Sequence, residues 1–221
     1  MGNKHFLLLL MVSFVCWSCA NMQPLRDSIS FISVFNKFDT LAAVSAADEI
    51  LADLKNFVTD KDYYQLGFDS LADLQSAVRG TPIRVFTVMY SAIKFYKDNL
   101  DTKDCVVKDE YVHFPVKVKG VVTTSLELFK GADNSWKFAR FGNPMRARLI
   151  SAVMDSLSHL PLIPRDVSFF YLQIPSKYMS FIGYYNERDL RMYLAPLADR
   201  EKSNFIKWVF YDAKSILKKL K

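Results

Sequence analysis

The chain has 221 residues, of which 51% are hydrophobic and 14% aromatic, and a formal charge of +6. That length and apolar content suit a domain of good size with a real core, and they exclude a chain disordered through most of its length. The basic residues are dispersed except at the extreme C-terminus, and no RNP-like, finger or Arg-rich motif is present, so the composition argues against nucleic acid as a partner.

Lys4 and His5 make a short basic start, Phe6 to Val15 is hydrophobic apart from Ser13, and small residues stand at Ser18 and Ala20. This is the layout of a secretory signal peptide. A membrane-spanning helix needs about 20 apolar residues, and this run ends sooner, in Asn21-Met22-Gln23-Pro24. Cys16 and Cys19 have the spacing of a redox pair but follow no strand, and Phe6 occupies the place where a myristoylation motif needs Ser or Thr.

The stretch Val15-Cys16-Trp17-Ser18-Cys19-Ala20 resembles the lipobox of bacterial lipoproteins, in which a small residue precedes a cysteine that receives diacylglycerol and becomes the first mature residue. Ser18 occupies the small position, whereas Cys16 stands where Leu is usual and Trp17 is bulkier than the family's residue. The resemblance covers the N-terminus alone. It implies a signal peptide over residues 1–18, lipidation at Cys19 and attachment to a membrane through that lipid. Ala20 stands where Asp would favour inner-membrane retention, and no acidic run follows, so the resemblance further implies an outer membrane and a periplasmic face. Ordinary cleavage after Ala20, with Ser18 and Ala20 as the small pair, is the other reading. With Cys19 lipidated and Cys16 removed, Cys105 is left as a lone thiol, which the sequence reads as a small buried hydrophobe rather than a nucleophile.

Residues 19–60 read as the lipid anchor, a short tether and an N-terminal helical pair. Pro24 opens the first helix, with Leu25, Ile29, Ile32, Phe35 and Phe38 at helical spacing. Asp39 and Thr40 cap a second, striped by Leu41, Val44, Leu51, Leu54 and Val58, whose Asp48, Glu49 and Asp53 form a solvated face.

Residues 61–221 read as a single α+β domain. Tyr63 to Phe68 suits a short strand, Ser70 with Asp73 the start of a brief helix, Arg79-Gly80-Thr81-Pro82 a turn, and Ile83 to Tyr90 a strand covered on both faces. The clearest β signal is a meander of Tyr111 to Lys119, Val121 to Lys130 and Trp136 to Phe141, broken at Gly120 and Gly131 to Ser135. Asn143-Pro144 opens a helix carrying Met145, Leu149, Val153 and Leu157. Three strands follow, Val167 to Ile174, Tyr178 to Tyr185 and Leu190 to Ala195, the first ended by Pro175. A C-terminal amphipathic helix capped near Ser203 carries Phe205, Val209, Ala213, Ile216 and Leu220 on one face. The expected fold is therefore α+β, a mainly antiparallel sheet covered by helices. The order of elements from Tyr63 to Phe141 resembles secreted bacterial α+β domains of unassigned function, a resemblance that brings no catalytic residues with it.

For chemistry, the mature chain offers only His113 and His159 as bases, and no nucleophile elbow, phosphate-cradling loop or clustered metal ligands. His113 reads as a sheet histidine and His159 as a helix-end one. No metal or other cofactor is expected, and the missing motifs favour binding over catalysis. Tyr178, Tyr184, Tyr185, Arg188 and Arg191 crowd one hairpin and are the candidate partner surface, since aromatics with Arg make good recognition surfaces. The expected function is an exported, lipid-anchored envelope protein that binds or assembles with an unknown envelope protein or polymer. A secreted hydrolase of an envelope polymer and an inhibitor-like or chaperone-like partner of another exported protein are the alternatives.

Overall fold

A computed structural model describes residues 40–97, 99–161, 163–164, 167–198 and 205–221. The signal segment, Cys19 and the first of the two expected N-terminal helices lie outside the described residues, as does Ser203.

The second N-terminal helix, α1, spans Thr40–Phe57. Its buried positions are Ala43, Ala47 and Leu51, so a small-residue face lets the helix approach the sheet closely. Leu41, expected in the apolar stripe, is 81% exposed, because two residues before Ala43 places it about 200° around the helix. Tyr63–Leu66 is a 3-10 helix and not the expected strand. Gly67 ends it at φ 93, and the Phe68 N–H returns to the Tyr63 carbonyl at 3.2 Å, a local closure that a sheet ladder would have to give up. Helix α2 (Leu71–Ser76) starts as expected, with the Ser70 hydroxyl accepting from the Asp73 N–H at 3.1 Å and donating to its carboxylate at 2.9 Å.

Strands β1 (Val78–Arg79) and β2 (Ile83–Val88) precede a short helix α3 (Tyr90–Lys94). The meander follows as β3 (Val106–Val118), β4 (Val121–Lys130) and β5 (Trp136–Gly142). Helix α4 (Pro144–Ser158) starts from Asn143, whose left-handed backbone aims its side-chain oxygen at the Arg146 N–H, 3.2 Å away. Its buried face is Ala147, Ile150, Val153 and Leu157, while Met145, expected inside, is 82% exposed. Then come β6 (Phe169–Ile174), β7 (Met179–Asn186) and β8 (Arg191–Pro196).

The C-terminus departs from the expected long helix. Trp208 adopts φ 64 and gives its N–H to the Pro196 carbonyl at 3.0 Å, and Tyr211–Asp212 forms β9 beside β8. Among the described residues of this stretch only Ala213–Leu220 is helical, as α5, capped by the Asp212 carboxylate on the Lys214 N–H at 2.7 Å. The stripe from Ala213 onward is right. The part before it is used to complete the sheet edge instead.

Among the described residues nine strands make one sheet, in the order β5-β4-β3-β2-β6-β7-β8-β9, with β1 pairing β3. Every pair is antiparallel except β2 with β6, so the fold is α+β with a mostly antiparallel sheet. Helices α1 and α2 cover Val112, Phe114, Val116, Leu126 and Leu128 on one face. Helix α4 covers the opposite face, over Val85, Tyr171, Ile182 and Tyr184. Because side chains alternate across a strand, the other set on β3 and β4 points to the α4 side, which that helix covers only in part, its first turn reaching β4 through Arg146. That uncovered part of the face is where the candidate site lies. No described helix is long and apolar enough to cross a membrane.

Candidate binding site on the open sheet face

The register of the meander sets His113 of β3 directly opposite Glu127 of β4, and Glu127 directly opposite Arg140 of β5. Directly opposed residues share a face, so three polar side chains form a row across the sheet. A fourth, Arg146, reaches the row from the first turn of α4, which the Asn143 cap starts immediately after β5. Arg140 Nη2 donates to Glu127 Oε2 at 2.5 Å, Arg146 Nη1 to Oε1 at 3.3 Å, and His113 Nδ1 lies 3.5 Å from the same Oε1.

The Glu127 side chain is 11% exposed and that of His113 2%, whereas Arg140 is half exposed. Burial is the largest influence on the Glu127 carboxyl and pushes its pKa up. Hydrogen bonding to His113 and Arg140, with their charges, together outweigh it and hold the pKa at about 2. Glu127 is thus a fixed negative charge at neutral pH and not a proton donor. On the opposite face of β2, burial alone lowers Arg84 to about 10, still protonated at neutral pH.

A carboxylate beside an imidazole is the pairing of a general base. Here the far nitrogen, Nε2, is sealed from solvent and has no hydrogen-bond partner among the described residues. In this conformation the proton-transfer geometry is incomplete at Nε2, and what the row presents to the cavity is charge.

Above the row lies a cavity of about 720 Å³ whose walls include Tyr111, Phe129, Phe138 and Tyr171. A second cavity of about 630 Å³ adjoins it, with Arg146, Tyr171 and Gln173 lining both. The Arg146 guanidinium stands 6.0 Å from the centre of the Tyr171 ring, a cation–π geometry that fixes it at the junction. Among the described residues no group of three or more His, Cys, Asp and Glu is placed to hold a metal ion.

The hairpin expected to carry a partner surface distributes its residues differently. Tyr184 and Tyr185 are each 5% exposed and alternate to opposite faces. Tyr184 stacks on Tyr193 at 5.2 Å within the core under α4, while Tyr185 lines a small cavity of about 270 Å³ with Arg188. Arg191 pairs with Asp212 at 3.7 Å at the sheet edge. Tyr178 is 85% exposed and lines the second large cavity, about 25 Å along β7 from Arg188. Thus Tyr178 joins the candidate site, Tyr185 and Arg188 share a separate recess, and Tyr184 is packing. His159 caps the exposed end of α4, and Cys105 is buried, with its thiol pKa raised chiefly by that burial.

Glu127, Arg140 and Arg146 were not legible as a set, since they are brought together by register and by one helix start. The available signal was Glu127 itself, a charge between Leu126 and Leu128 in an apolar run. Comparison of the chain with known protein families, with curated proteins and with solved structures finds no match.

Proposed function

We propose that the chain is an exported bacterial envelope protein, held to a membrane through lipid on Cys19, that works as a non-catalytic binding or assembly module. Its site is the open sheet face, and its partner is an envelope protein or polymer carrying acidic groups. The observation that carries this reading is the clamp on Glu127: two guanidinium groups converge on one carboxylate at the floor of an open cavity, leaving a net positive charge there. Ligand sites are concave, largely apolar and furnished with a few fixed polar groups, which describes this cavity. The lipobox resemblance at Cys19 and the residues that follow it support an outer-membrane position facing the periplasm, with Asn21 to Gln23 as a short tether.

Two measurements test the two halves of the proposal. Mass spectrometry of the membrane-extracted N-terminal peptide should show a diacylglyceryl group on Cys19, and a chain beginning unmodified at Asn21 would remove the anchor. Capture of cross-linked envelope material should fall at least tenfold with Arg140→Gln, and capture independent of Arg140 would move the site elsewhere. The hydrolase reading draws on the His113–Glu127 contact. It requires Nε2 to become accessible, so turnover of envelope polymer that disappears in His113→Asn would establish it over the binding reading.

A further inference from the structure

We infer that the two cavities meeting at Arg146 form one site for an anionic amphiphile, whose oxyanion head lies against Arg140 and Arg146 while its aliphatic tail runs along the second cavity. This rests on the reading of the open sheet face as a binding site and names the ligand class that the site takes.

The first argument is charge. Among the described residues Glu127 is the single acidic one lining either cavity, and two arginines already face it. A guanidinium carries five N–H donors. Among the described residues Arg140 and Arg146 have Glu127 as their only hydrogen-bonded carboxylate, through one nitrogen each, so donors remain for a second oxyanion. A carboxylate, phosphate or sulfate meets that need with the planar or forked geometry that arginine prefers.

The second argument is the change of lining across Arg146. On the side of β3 to β5 the cavity has a polar floor, formed by Glu127 with Arg140 and Arg146. On the other side the wall includes Met145, Leu149, Pro175, Tyr178, Met179 and Leu197, and among the described residues Arg146 is its only charged member. Met145 and Tyr178 are 82% and 85% exposed, and Tyr178 is held in the left-handed region at φ 51, which a tyrosine seldom adopts. Exposed apolar side chains gathered around a concave surface are costly in water and are stabilised by an apolar occupant. A purely ionic ligand would leave them wet, and a purely apolar one would bury the arginine donors unpaired. An amphiphile satisfies both ends.

The test is a titration of the purified full-length protein with decanoate, decanol and acetate below micelle formation, and with vesicles of phosphatidylglycerol. Decanoate should bind at least tenfold more tightly than decanol or acetate. Arg146→Gln should reduce decanoate to the affinity of decanol, and Met145→Asp, at an exposed position that leaves the core intact, should weaken decanoate more than acetate. Vesicle binding with the same Arg146 dependence would assign the amphiphile to membrane phospholipid, and decanoate binding without vesicle binding would assign it to a free single-chain acid. Decanoate no tighter than decanol or acetate, or indifferent to Met145→Asp, would overturn the inference. If decanoate fails while acidic envelope material is still captured in an Arg140-dependent way, the amphiphile falls and the binding module stands; if both fail, the site itself is refuted.

Discussion

Arg140 Nη2 sits 2.5 Å from Glu127 Oε2 across the β4–β5 pair, so a half-exposed guanidinium closes over a carboxylate that is only 11% exposed. The contact follows from register, since the two residues are direct partners in the ladder. Removing the carboxylate charge while keeping its shape leaves one acceptor oxygen where there were two and sets an N–H donor against a donor of His113 or the arginines. Glu127→Gln should therefore destabilise the fold by about 2–3 kcal/mol, in line with the loss of hydrogen bonds to a buried charged group. A urea midpoint that falls with unchanged slope is the expected result, and an unchanged midpoint would show the clamp to be energetically silent.

The same carboxylate gives the stability a defined acid limb. Its pKa is about 2 in the fold against an ordinary value of 4.5, so the unfolded chain binds more protons between those values. Its stabilisation is fully present above about pH 4.5 and is lost as pH falls through about 2. The difference corresponds to an amount on the order of 3 kcal/mol. Asp133, hydrogen-bonded to Ser135 and Lys137, also titrates at about 2 but is fully exposed. Comparing wild type with Glu127→Gln removes its share. The stability gap between the two proteins should close between pH 5 and pH 2, and a gap constant over that range would count against the shift.

Gly183 in the middle of β7 should tolerate no side chain. A Cβ there would lie 2.6 Å from Leu194 Cδ2 and 2.6 Å from Phe170 Cε2, both in the packed neighbours β8 and β6. Gly183→Ala should cost about 1–3 kcal/mol by overpacking. A melting temperature equal to that of wild type would mean that the Leu194 and Phe170 side chains move aside freely.

The short C-terminal helix should contribute through its apolar face alone. Ile216 is fully buried and Leu217 nearly so, whereas Lys214 stands at the edge of that face. Ile216→Ala should destabilise by about 2–5 kcal/mol, and Lys214→Gln should change stability by less than about 0.5 kcal/mol. A melt in which the lysine change matters as much as the isoleucine one would assign the helix an electrostatic role instead.

What the sequence by itself determined are the features that depend on neighbours within about ten residues. The meander of β3, β4 and β5 follows from β-branched alternation and glycine punctuation, and the starts of α2 and α4 follow from Ser70 and Asn143-Pro144, whose capping chemistry is local. Local pattern misleads where two local solutions are close in energy. Tyr63 to Phe68 closes on itself around Gly67 instead of extending, and Phe205 to Phe210 turns at Trp208 so that Tyr211 and Asp212 can pair with β8. Tertiary structure alone decided the parallel joining of β2 to β6, which fuses the two strand clusters into one sheet, because that pairing is between residues about ninety positions apart and carries no local mark. It also decided the site. His113, Glu127, Arg140 and Arg146 come from three strands and a helix, and a shift of one residue in either ladder would turn a strand's side chains to the other face and leave the carboxylate without its partners.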